Sequence, residues 1–174
     1  LAELLGAAVI DTNRFSFPNT HELDATAVRA AVLKDADVVL ALDVPSLGVP
    51  LGPDVRERGA LQPAIGDDCK IINIGMFEFE KQSWVTDNMW LMPVANPIAA
   101  ETTGAIRELL IMCREMRAMG EDFSSKADAR RAKVGAMHNE AAEKAAERAA
   151  SEWDSTPIAA GRFYGELKAK LEGR

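Results

Sequence analysis

The run from Leu4 to His21 constrains the fold more than any other segment. Leu4-Leu5-Gly6 has the form of a helix end, with Gly6 standing where a left-handed cap is wanted. Ala7 to Asp11 is a short apolar run, as expected of a strand buried on both faces, and Thr12 to His21 is a polar loop. A helix end, a buried strand and a loop in so few residues are the pattern of an α/β domain. Such a domain normally opens on a strand, whereas this chain opens inside a helix at Leu1-Ala2-Glu3-Leu4-Leu5. The expectation is a segment cut from something longer.

The rest of the first 120 residues repeats the pattern. Asp24 is placed to cap a helix over Ala25 to Leu33, and Asp35-Ala36-Asp37 marks the turn into Val38-Val39-Leu40-Ala41-Leu42, the clearest strand in the sequence. Between Asp43 and Asp68, Pro45, Pro50, Pro53 and Pro63 alternate with Gly48, Gly52, Gly59 and Gly66, the composition of a long irregular crossover with room for one short helix. Lys70 to Ile74 is a third strand. Met89 to Val94 is a fourth, at an edge where Pro93 is tolerable. Residues 101–118 place Ile106, Leu109, Leu110, Cys113 and Met116 on one face, which predicts a helix packed on the sheet.

Beyond Gly120 the composition changes. Lys126 to Ser151 is rich in alanine and mixed charge, has almost no large apolar residue, and carries a Glu140 to Lys144 pair at helical spacing, so it reads as a solvated linker helix. Thr156-Pro157 supplies a cap and a first-turn proline for one more amphipathic helix, with Phe163, Leu167 and Leu171 at intervals of four. The fold class is therefore α/β: a Rossmann-like parallel sheet flanked by helices, then a linker helix and a terminal amphipathic helix. The corresponding divisions are residues 1–120, 121–153 and 154–174.

Charge and hydropathy narrow the function. A net charge of −7 without a basic stripe argues against nucleic acid and anionic membranes as partners. No run approaches the roughly 18 apolar residues of a membrane helix, and no signal peptide is evident, which makes a cytoplasmic location the expectation. Cys69 and Cys113 read as buried thiols rather than a disulfide or metal pair. Phosphate loops of the G-x-G-x-x-G or G-x-x-x-x-G-K-[ST] form are lacking.

Candidate binding groups lie just past the strands, where open α/β sheets hold ligands. Asp11, Thr12 and Arg14 follow the first strand, Asp43 the second, and Asn73 stands at the end of the third, next to Ile74. Asp11 or Asp43 would accept from a ribose hydroxyl and Arg14 would pair with a phosphate; the alternative for each is a polar group that caps a turn or helix. His21 is either a ligand contact or a loop histidine bonded to backbone, and His138 stands apart from it, so a shared metal site or triad is not expected. Trp84, Trp90, Trp153, Phe77 and Phe79 suggest packing under a loop more than stacking on a ligand. Glu78, Glu80 and Lys81 read as a solvated face.

Taken in order, Leu4-Gly6-Ala7 into Val9-Ile10-Asp11-Thr12, then Phe17-Pro18-Asn19-Thr20-His21, then Asp35 through Pro45 closely resemble the central domain of thiamine-diphosphate-dependent enzymes of the acetolactate synthase type. The likeness continues through Lys70-Ile71-Ile72-Asn73-Ile74 and Ala100-Glu101-Thr102, where the family commonly has Ala-Asp, and covers residues 1 to about 118. Thr156-Pro157-Ile158 and its helix look like the opening of the family's third, diphosphate-binding domain.

The resemblance implies a three-domain, oligomeric enzyme whose first and third domains, from different subunits, hold thiamine diphosphate and Mg²⁺. Its middle domain binds FAD or ADP in some members and only supports the assembly in others. This chain contains neither the catalytic glutamate of the first domain nor the Gly-Asp-Gly to Asn metal motif of the third. Two departures bear on the nucleotide: Leu42-Asp43-Val44-Pro45 replaces a Gly-Ala-Arg-like turn, and Asn73 stands where an acidic residue is frequent. The reading is a scaffold with a vestigial or empty nucleotide cleft, whose partners are the remaining domains or subunits of the same enzyme. The alternatives are a free-standing Rossmann-like nucleotide-binding module and an interaction module whose terminal helix recruits a partner.

Overall fold

The structure, a computed structural model, describes residues 1–12, 16–52, 64–76 and 92–172. Its centre is a parallel sheet of three strands among these residues: β1 (Val38–Leu42), β2 (Lys70–Ile74) and β3 (Asn96–Ile98), in the order β1-β2-β3. Val38 pairs with Lys70 and Leu42 with Ile74, while Ile72 to Ile74 pair with Asn96 to Ile98. The first two strands have the expected bounds, because uninterrupted β-branched and aliphatic runs entered from an Asp-containing turn favour buried parallel pairing. The chain is thus an α/β protein, with helices flanking the sheet.

One helical side of the sheet is built by α2 (Arg29–Lys34) and α3 (Gly48–Leu51). Leu33, Leu47 and Leu51 pack with Ala41 and Ile71 into a buried cluster, and Val39 and Ile10 close around it. Val39 and Ala41 alternate on one strand and Ile71 on the next, which puts them on one face by the period of two. A second cluster of Leu23, Ala25 and Val134 lies under Phe17, Val28 and Val32. Its Val28 and Val32 stand one turn apart on the helical segment whose Leu33 enters the first cluster, so α2 bridges the two.

Several expectations are corrected. Ala7 to Asp11 is no strand of the sheet: Val9 forms a single parallel bridge with Asp24, its N–H donating to the Leu23 carbonyl at 2.9 Å and its carbonyl accepting from Ala25 at 2.8 Å. Both backbone groups of Val9 are spent on the 23–25 loop, which leaves no ladder for a sheet partner. The helix expected from Ala25 begins as a 3-10 turn, Thr26–Val28, because Asp24 Oδ1 accepts from both the Thr26 N–H at 3.1 Å and the Thr26 hydroxyl at 2.6 Å and tightens that turn. The third strand of the sheet is Asn96–Ile98 instead of the run ending at Val94. Edge tolerance explains the proline after all, but for Pro97, opposite Asn73. Met89 to Leu91 lie outside the described residues.

The long helices also differ from expectation. α4 (Thr102–Met119) has α1 (Ala2–Leu5) and α5 (Glu121–Ser151) as its main neighbours, and on its apolar face Ile106, Leu109, Leu110 and Cys113 are only half-buried while Met116 is exposed. α5 spans the stretch read as a solvated linker, yet its first half is docked. Ala127 and Val134 are buried, and Arg130 donates twice to the Leu5 carbonyl, Arg131 pairs with Glu22, and Lys133 with Asp35. Small residues allow this approach: Gly6 has φ 59°, and a Cβ there would fall 2.0 Å from the Ala127 carbonyl oxygen. From residue 142 to 148 the helix is exposed.

The terminal helix, α6 (Ala160–Glu172), starts three residues after Pro157, and the Thr156-Pro157 bond is cis. It meets the end of α5 through its glycines, Gly161 against Ala149 and Gly165 against the Trp153 ring, with Arg162 stacked over that ring. Phe163, Leu167 and Leu171, the stripe expected to find a partner, are exposed. Among the described residues no helix is long and apolar enough to cross a membrane.

Candidate functional site

At the carboxyl end of the sheet, Asp43 follows β1 with φ 48°, a left-handed conformation that aspartate tolerates better than most residues. Its N–H donates to the Ile74 carbonyl at 2.9 Å, which extends the β1–β2 ladder by one step. Its Oδ2 accepts from the hydroxyl of Thr102, the buried first residue of α4. Asp43 therefore ties the end of β1 to the start of α4.

The α4 N-terminus is the place in this region where a phosphate would naturally sit, because its first amides have no partners within the helix. Glu101 already occupies it. The carboxylate accepts from the Thr103 N–H at 2.8 Å and the Gly104 N–H at 2.7 Å. The Thr103 hydroxyl, followed by these two backbone groups, holds the Glu101 carboxyl below the usual carboxylate range.

Two polar atoms nearby have no such use. Asn73 Oδ1 and Ser46 Oγ are buried without a hydrogen-bond partner among the described residues. Asn73 lies opposite Ala41 in the ladder and Ser46 precedes Leu47, so both border the first core cluster. A buried polar atom without a partner is uncommon in a folded protein.

Asp11 belongs to another corner. Its N–H donates to Thr26 Oγ1 at 3.0 Å, and its Oδ2 accepts from Ser16 at 2.7 Å and Phe17 at 3.0 Å, closing the loop between them. The adjoining cavity, lined by Asp11, Phe17, Asn19, Asp24 and Thr26, is about 40 Å³, far below the roughly 300 Å³ at which small-molecule sites begin. Thr12 is exposed, and Arg14 lies outside the described residues. A wider open hollow of about 580 Å³ occurs at the α4–α5 junction, beside Arg117, Met119 and Ser124, away from the strand ends.

Of the five expected site residues, Asp43 and Asn73 are brought to neighbouring strands, and Asp11 serves a loop. Thr102, Glu101 and Ser46 are the groups that strand-end reasoning missed. Glu101-Thr102-Thr103-Gly104 carries a helix-start signal, but only the fold reveals that Thr102 meets Asp43.

The other candidates resolve simply. His21 is the backbone-bonded loop histidine of the two alternatives, accepting from the Leu23 N–H. Cys69 and Cys113 are free and half-buried, and burial, with Asp37 adding to it, pushes the Cys69 thiol up. Among the described residues no group of three or more His, Cys, Asp or Glu is arranged to hold a metal ion. Trp153 packs under Arg162, while Phe77 to Trp90, with Glu78, Glu80 and Lys81, lie outside the described residues. Comparison of the chain with protein-family models, curated proteins and solved structures finds no match.

Proposed function

We propose that this chain is the central-domain segment of a thiamine-diphosphate-dependent enzyme of the acetolactate synthase type, one that makes or breaks carbon–carbon bonds next to a carbonyl. Its part is scaffolding and subunit contact. Thiamine diphosphate and Mg²⁺ belong to the other domains, and no residue here is assigned a catalytic role.

The observation that carries the scaffold reading is that Asp43 at the end of β1 and the first amides of α4 are engaged by the chain's own side chains. Asp43 is engaged by Thr102, and Glu101 neutralises the α4 amides that would otherwise receive a phosphate. FAD or ADP binding is accordingly not part of the proposal. The parallel sheet with its flanking helices agrees with the class expected of such a domain. The exposed stripe of α6 suits contact with the remaining domains or subunits in a homo-oligomer.

A second reading, a free-standing Rossmann-like nucleotide-binding module, draws on the unpartnered Asn73 Oδ1 and Ser46 Oγ. The coding sequence around the chain separates the two. A scaffold segment predicts a Gly-Asp-Gly to Asn motif shortly downstream, in the same or an adjacent reading frame. Its absence from both would overturn the assignment.

A further inference from the structure

The chain's two histidines grip one short stretch, His21 to Ala25, in opposite electrical senses. This stretch anchors the second core cluster: Leu23 and Ala25 are fully buried and are bonded to Val9 on one side. The Leu23 N–H donates to His21 Nδ1 at 3.1 Å, so Nδ1 presents a lone pair and the ring proton resides on Nε2, which lies 3.2 Å from Glu3 Oε1. His138, on α5, has its Nδ1 2.9 Å from the Asp24 carbonyl oxygen. A carbonyl only accepts, so here Nδ1 carries the proton.

Adding a proton has opposite consequences at the two rings. On His138 it enters at Nε2 and leaves the bond to Asp24 in place, strengthened by charge. On His21 it enters at Nδ1, removes the lone pair that Leu23 uses, and sets one N–H against another. Leu23 is too deeply buried for its amide to turn to water unless the segment moves.

We propose that His21 is a proton-operated latch: neutral, it fastens the Leu23 amide and with it the 18–23 turn; protonated, it releases them while His138 keeps its hold on Asp24. Glu3 on α1 faces Nε2, and the hydrogen bond and charge of His21 hold its carboxyl below the usual range. Arg131 on α5 acts on Glu3 from farther away and is itself paired with Glu22. The Phe17 ring, 4.8 Å from the imidazole in an edge contact, covers a further side. Imidazole is the side chain whose charge ordinarily changes between about pH 5 and pH 8, so the latch works without any other ligand.

The test follows the imidazole nitrogens and the Leu23 amide by NMR from about pH 8 to about pH 5. At the alkaline end the His21 Nδ1 shift is that of an unprotonated nitrogen. As the ring takes its second proton, the Leu23 exchange protection factor falls by about tenfold or more. His21→Asn supplies a non-titrating acceptor, since an asparagine oxygen accepts from the N–H two residues on, and it retains Leu23 protection across the range. The proposal is overturned by a neutral ring protonated at Nδ1, by Leu23 protection that ignores the ring's titration, or by equal loss in the asparagine variant. The first two readouts use the natural sequence and decide the matter even if the variant does not fold.

Discussion

Glu101 illustrates how one side chain closes a site that the fold would otherwise leave open. Its carboxylate satisfies the amides of Thr103 and Gly104, a task that a bound phosphate performs at the helix N-termini of nucleotide-binding α/β proteins. A carboxyl held below its ordinary value contributes stability that is present in full above the unfolded value, 4.5, and is lost as pH falls through the lower folded value. Glu101→Gln should therefore lower the thermal midpoint at neutral pH, and the difference from the natural chain should disappear in acid below that window. Gly6 makes a different demand, because its left-handed backbone and the Ala127 carbonyl beneath it leave no room for a methyl group. Gly6→Ala should cost about 2–4 kcal/mol in urea unfolding. Sequence identified Gly6 and Asp43 from local rules of caps and strand ends. It missed Thr102 because the partner of Asp43 stands 59 positions away, and no local pattern reports such a meeting.

Among the elements, β1 and β2 were legible because their aliphatic runs are continuous and sharply bounded. β3 was not, since Asn96-Pro97-Ile98 has little strand character and is held by its pairing with β2, whereas the neighbouring apolar run drew the expectation toward Val94. The docking of α5 was hidden for another reason. Helices that approach through alanine and glycine bury backbone and methyl groups, and such a face lacks the large apolar stripe that periodicity detects. Val134 is the exception within it and is buried against Leu23 and Ala25. Val134→Ala should cost about 2 kcal/mol and raise amide exchange along the first half of α5. Lys144→Gln, in the exposed half, should leave the unfolding midpoint unchanged within error, because exposed pairs such as Glu140 with Lys144 contribute little.

At the scale of the whole molecule, the α/β class was readable, while the hydrogen-bonding state of the strand ends was not. Occupancy of hydrogen-bonding groups depends on α4 meeting β1, which is a tertiary fact. The α6 stripe bears on the same scale: Phe163, Leu167 and Leu171 are exposed although the helix is fastened to α5 by Gly161, Gly165 and Arg162. Under the proposed scaffold role, that stripe meets other domains or subunits. Phe163→Ser with Leu167→Ser should then reduce the assembled mass seen by light scattering while the circular dichroism spectrum is retained. The most direct test of the scaffold itself is calorimetric titration of the 174-residue chain with thiamine diphosphate and Mg²⁺, and separately with ADP and FAD. A scaffold whose α4 amides are already taken by Glu101 gives no binding heat with any of them, whereas a dissociation constant tighter than about 10 μM for ADP, FAD or thiamine diphosphate would contradict it.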